Sequence, residues 1–289
     1  MMLVHSKLWV IKMILSLYDM PQYGPFLNTT FTVARKAVLA VMILVLLSVF
    51  WGCSKESPLV ELQHKEAYQD WKIFTYKTVN ILYPPNHLQR DNFDEISQGL
   101  LAASRRITEW LGTEPYTDSL YIVYYTGFGQ GREMTGQRWP YASDGVIYLW
   151  QPCFTTLPLA DILIKRWAQG DSQNPILKHG LRAALDFTGA DYHQRTRDII
   201  ERGQFEPISE LAQDPGFLSD SERVQSAEAA SLVIYILVTY NATELKALYR
   251  SDESFDKALE ENLGINTDLL ERNWLAFINQ RTKATEPKK

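Results

Sequence analysis

Residues 157–187 read LPLADILIKRWAQGDSQNPILKHGLRAALDF, and Asp161, Lys165 and His179 stand out there among apolar neighbours. An Asp and a His can ligate a metal or trade a proton. A Lys ammonium four residues from the Asp would repel a cation, and that spacing suits an ion pair along one helix face. His179 with Asp186 or His193 is an alternative metal set, but these residues span two elements and no spacing rule joins them. The chain has no His between His87 and His179, so no helix in this region offers a His pair at i,i+4. No Gly-x-Ser-x-Gly elbow occurs, which removes the local signature of a serine hydrolase. The glycines of GFGQGREMTG are followed by Arg138-Trp139-Pro140 and a strand-like run. A phosphate-cradling loop needs a helix directly after it, so this segment is expected to be a connection over one sheet edge.

The elements that would position these groups fall into a strand-rich part and a helical part. KIFTYKTVNILYPP alternates, is rich in β-formers and is stopped by Pro84-Pro85, which predicts one strand or a tight pair. Phe93, Ile96, Leu100, Ile107 and Leu111 recur at helical spacing, with Asp91 expected to cap the start and Gly112 to close the end. DSLYIVYYTG and VIYLW read as strands. From residue 157 onward apolar positions repeat at three and four. Ser219 and Glu222 stand at capping-box spacing, Asn241 suits a left-handed cap, and Gly264 marks another stop. The expected fold class is α+β: a small mixed sheet with a helix packed on it, then a mainly helical C-terminal part.

The N-terminal region carries a different signal. Arg35 and Lys36 precede an uncharged run of 16 residues from Ala37 to Gly52, apolar but for Ser48. That is short for a spanning helix, which needs about 20 residues, and suits the apolar region of a secretory signal. Gly52 before Cys53, at the end of that run, resembles the lipobox of bacterial lipoproteins. The resemblance implies lipid attachment on Cys53 and a membrane-tethered chain facing the periplasm or the exterior. Phe50 and Trp51 are bulkier than the residues usual in that motif. Residues 1–32 make a long leader before the positive charges, so initiation near Val33 is expected. Only Cys53 and Cys153 are present, and Cys153, set among aromatic and apolar residues, reads as an inert buried thiol. A net charge of −5, with no basic block outside the C-terminal tail, argues against a nucleic-acid partner.

The second half, with IIERGQFEPISEL, VQSAEAASLVIYILVTY, SFDKALEENLG and LLERNWLAFI in order, resembles the peptidase MA-like family, the thermolysin-like gluzincin zinc metallopeptidases. The front half agrees in outline through ILYPP, a helix ending WLG, and GVIYL, so the resemblance covers roughly residues 72–280. In that family a helix bearing His-Glu-x-x-His follows the last strand, and a later helix bearing Glu-Gly-Leu-Ala supplies the third zinc ligand. Here ADILIKRW stands at the first place, with Asp161 and Lys165 in the two His positions and Ile162 in that of the general base. KHGLRAALDF stands at the second, with Gly180 and Leu181 matching and His179 replacing the ligand Glu. The resemblance therefore implies a gluzincin-like fold whose zinc site is degenerate, with no catalytic residue and no cofactor.

The domain plan that follows has a leader over 1–32, a signal over 33–52, a tether over 53–70, a strand-rich subdomain over 71–156, a helical subdomain over 157–281 and a disordered tail over 282–289. The expected function is a lipid-anchored envelope protein whose former active-site cleft binds a peptide or protein partner. Trp139, Tyr141, Tyr148, Trp150 and Trp167 lie near that cleft in sequence, though burial for area alone is the readier account of each. An active hydrolase working through Asp161 and His179 is one alternative, and a structural envelope protein is another.

Overall fold

The computed structural model describes residues 57–88, 90–151, 155–186, 189–212 and 222–285. Cys53, the apolar run before it, Cys153 and Ser219 lie outside these, and so do the expectations resting on them. Among the described residues no helix is long and apolar enough to cross a membrane.

Strand β1 (Lys72–Tyr76) and strand β2 (Val79–Tyr83) form an antiparallel hairpin, Tyr76 facing Val79. Lys77 makes the turn at φ 53°. Strand β3 (Leu120–Tyr125) lies parallel to β2, and strand β5 (Val146–Trp150) lies parallel to β3. The short strand β4 (Tyr141–Ser143) closes the sheet antiparallel to β5, giving the order β1-β2-β3-β5-β4. The fold is thus α+β, a mixed five-stranded sheet with a helical C-terminal part, as the sequence led us to expect.

Side chains alternate across a strand, and here both faces are buried. Val79, Ile81, Ile122, Tyr124, Ile147 and Leu149 point into the larger core. Helix α2 (Phe93–Trp110) covers that face with Phe93, Leu100, Ala103 and Ile107. Its start is not capped by Asp91, which lies in a 3-10 turn over Arg90–Asn92; Asn92 holds the N-cap place and makes no side-chain capping bond to the helix. Asp94 and Glu95 in the first turn favour the positive end of the helix instead.

The opposite face carries a second core of Leu82, Val123, Tyr125, Val146 and Trp150. Helix α1 (Pro58–Gln63) covers it with Leu59 and Leu62, joined by Tyr68 and Trp71. The tether expected over 53–70 is therefore folded from Pro58 on, Ser57 accepting a bond from the Val60 amide as its N-cap. Tyr68 and Tyr125 share a buried hydroxyl–hydroxyl hydrogen bond at 2.9 Å. Helix α3 (Phe128–Thr135) occupies the segment expected to be a bare connection. Gly131 is what lets it dock, since a β-carbon there would meet the Trp150 indole at 2.7 Å.

The helical part continues with α4 (Leu157–Ala168), α5 (Pro175–Ala184), α6 (Tyr192–Glu201), α7 (Ile208–Leu211) and α8 (Glu222–Tyr240). It ends with α9 (Ala242–Arg250), α10 (Phe255–Leu263) and α11 (Thr267–Thr285). The last helix thus extends through Thr285, into the expected tail. Residues of β2, β3 and β5 share one core with α4, α5 and α8–α11, so the strand-rich and helical parts are not separate bodies. Asn241, at φ 83°, ends α8 and caps α9 by accepting from the Thr243 amide at 2.7 Å.

Buried polar groups tie α8 to its neighbours. The Trp274 indole N–H donates to Ser231 Oγ at 3.0 Å, and Ser231 Oγ lies 2.8 Å from His193 Nδ1.

Candidate functional site

A cleft of about 320 Å³ opens where α4 and α5 meet the β4–β5 turn. The four positions singled out in the sequence all line it: Asp161, Ile162 and Lys165 from α4, and His179 from α5. Local sequence explains the placement. Pro158 opens α4, while Lys165 and Arg166 complement its C-terminal end. Gln169 caps it in the left-handed conformation at φ 62°. Asn174 caps α5 by accepting from the Leu177 amide at 3.2 Å, with Pro175 at its first position.

Five charged or phenolic groups in the cleft were not singled out beforehand: Asp144, Asp171, Lys178, Arg182 and Tyr249. Lys178 and Arg182 stand at i,i+4 on the helix that bears His179, so they share its face. That spacing was the available signal. Asp171 comes from the α4–α5 connection and Tyr249 from α9, and only tertiary packing brings them in.

The ion pairing differs from the expected Asp161–Lys165 pair. Asp161 instead meets Arg182, its Oδ1 2.8 Å from Nε, with both side chains partly buried. Lys165 reaches Asp171 Oδ2 at 3.6 Å, and Lys178 reaches the same oxygen at 3.6 Å. Burial raises the Asp161 carboxyl above its ordinary range, against the lowering effect of Arg182 and of Lys165. Burial, then the charges of Arg182 and Lys178, hold His179 below its ordinary value, so it is neutral at pH 7. The Tyr249 phenol is pushed up to about 12, chiefly by burial.

This donor set does not fit a zinc ion. A tetrahedral site needs three or four ligands of the His, Cys or carboxylate type converging on one point. The Asp161 carboxylate is taken by a guanidinium, and Asp171 by two ammonium groups. Among the described residues no group of three or more His, Cys, Asp or Glu is placed to hold a metal. The alternative set also fails to assemble. Asp186 Oδ1 accepts from Thr155 Oγ1 at 2.9 Å and from the Thr156 amide at 3.1 Å, clamping the entry to α4, while His193 is engaged with Ser231.

The aromatics divide by burial. Trp150 and Trp167 are core residues. Tyr141 and Tyr148 stack at 4.6 Å between ring centres against the second core, across the sheet from the cleft. Trp139 is exposed, with the Arg138 guanidinium 5.3 Å above its ring. Behind the cleft, Trp167 packs edge-on to Tyr249 at 5.9 Å.

Comparison of the chain with protein-family models, with curated proteins and with solved structures returns no significant match.

Proposed function

We propose that this chain is an exported, lipid-anchored envelope protein whose peptidase MA-like domain binds an extended peptide or protein segment without cleaving it. One observation carries the reading. An edge strand, β4, borders a cleft in which a guanidinium–carboxylate pair stands where a metal-dependent peptidase needs ligands. An edge strand presents unpaired backbone donors and acceptors, which an added strand satisfies while its side chains enter the adjoining cleft. The general-base position holds Ile162, which has no group able to take a proton from water. The sequence layout around Cys53 supports export and anchoring.

The test is incubation of the full chain in detergent with a mixture of unstructured peptides. The expected outcome is unchanged peptide masses, together with slowed amide exchange at Ala142, whose N–H faces the free edge of β4 because Ser143 is turned toward β5. Cleavage that disappears in D161N or H179A would establish a hydrolase and overturn the proposal.

A further inference from the structure

We propose that the end of the sheet formed by the carboxyl termini of β2, β3 and β5 rests on a lipid bilayer, with Leu88, Phe128 and Trp139 entering its outer layer. This surface is separate from the cleft, and the proposal rests on the anchoring part of the reading above.

The register of the sheet brings the three side chains to one end. Tyr125, the last residue of β3, faces Trp150, the last of β5. His87 Nε2 lies 3.1 Å from the Tyr125 carbonyl oxygen, which sets the adjoining Leu88 at the end of β3. Phe128 opens α3 three residues past Tyr125. Strand β4 runs antiparallel to β5 with Tyr141 facing Tyr148, so Trp139 falls level with Trp150. Leu88 is 87% exposed, Trp139 56% and Phe128 40%. Large apolar side chains scattered singly over a surface are ordinary, but several gathered at one end mark a contact site.

The reach of the chain points to lipid as the occupant. Cys53 precedes Ser57 by four residues, a stretch that spans at most about 14 Å. Ser57 caps α1, whose six residues rise about 9 Å. Gln63, the last of them, donates to the Trp71 carbonyl; the next residue, Lys72, pairs with Tyr83 at the end of β2. A lipid on Cys53 thus holds a bilayer within about 25 Å of this end. The chemistry of the surface agrees. Trp139 lies under the Arg138 guanidinium, and such a pair suits the interface, ring toward the acyl chains and cation among the headgroups. Arg90 and Arg132 stand near Leu88 and Phe128, but Asp91 and Glu133 follow them directly. The contact is therefore apolar rather than a basic patch on an anionic surface. The cleft adjoins the β4–β5 turn, at the opposite end of β5, so it stays clear of the bilayer.

Trp110 supplies an internal reference. Helix α2 starts at the membrane end, where Phe93 packs on Tyr83 and His87, and its length carries Trp110 about 25 Å away. Trp110 is 37% exposed, less than Trp139. The experiment places one full chain in each phosphatidylcholine nanodisc and measures hydroxyl-radical oxidation residue by residue, together with the mass of the peptide bearing Cys53. Trp139 is expected to be oxidised several-fold more slowly than Trp110, with Leu88 and Phe128 also protected, at low and high salt alike. Trp139 oxidised faster than Trp110 would overturn the proposal. Protection that high salt removes would mark an electrostatic contact and overturn it too, as would protection found only with several chains per disc, which identifies a second copy as the occupant. The Cys53 peptide reports the anchor separately. An acylated Cys53 without protection overturns the membrane face alone, and an unmodified Cys53 without protection overturns both. Protection with an unmodified Cys53 supports the face and overturns the anchor.

Discussion

Replacing Glu228 by Gln is expected to make the protein more stable at neutral and alkaline pH. Glu228 is fully buried on α8, beside Glu206 in the chain leading into α7 and within reach of the Glu271 charge on α11. Its Oε1 accepts from the Glu206 amide at 3.3 Å, while Oε2 has no hydrogen-bond partner among the described residues. Burial raises its pKa to about 8; the Glu206 and Glu271 charges push the same way, and only the Glu206 amide opposes them. Glu271 is itself engaged, accepting from the Ile208 amide at 2.7 Å. A folded pKa above the unfolded value means that the native state binds the proton more tightly. The resulting stabilisation is fully present below the ordinary value of 4.5 and is lost as the pH rises through about 8. Glu228→Gln keeps the shape and removes the titration. The gap between variant and parent should therefore open with rising pH, reaching on the order of 3 kcal/mol by pH 8. Urea unfolding of both chains from pH 4.5 to pH 9 measures it, and parallel curves would show that Glu228 stays ionised in the folded state.

The second large effect is expected at Gly180. Alanine in a helix interior ordinarily gains about 1 kcal/mol over glycine. Here the sign reverses, because a β-carbon on Gly180 would lie 2.5 Å from the Ala229 carbonyl oxygen and 2.9 Å from Val233 Cγ2. Helix α5 rests on the backbone of α8, which cannot swing aside as a flexible side chain would. Gly180→Ala should cost about 2–3 kcal/mol through overpacking. It should also displace Lys178, His179 and Arg182, which α5 carries into the cleft. A shift of the urea midpoint to lower concentration checks this, and an unchanged or higher midpoint would contradict the close approach.

The sheet was legible because ILY, LYIVYY and VIYLW are short apolar runs bounded by turn residues. The cleft positions Asp161, Ile162, Lys165 and His179 were singled out through the family resemblance, and the structure sets them on two successive helices that line one cleft. What the sequence concealed has particular causes. The glycines at 127, 129, 131 and 136 hide helix α3, since the need for Gly131 arises only from the Trp150 ring lying over it. The choice of Arg182 over Lys165 as the partner of Asp161 depends on how α4 and α5 meet, whereas the i,i+4 rule considers one helix at a time. Folding of the segment before β1 had a local signal, Ser57-Pro58 with Leu59 and Leu62, which a tether reading passed over.

The claim at the centre of this account is that fixed charges, not a metal, occupy the heart of the cleft. Metal content of the full chain, measured together with its melting temperature with and without a chelator, tests it most directly. A ligand that binds only the folded state must raise stability by mass action. The account predicts zinc near zero and a melting temperature that the chelator leaves unchanged. Stoichiometric zinc, removed by the chelator with a fall of several degrees in melting temperature, would contradict it, and His179 would then be the first ligand to replace.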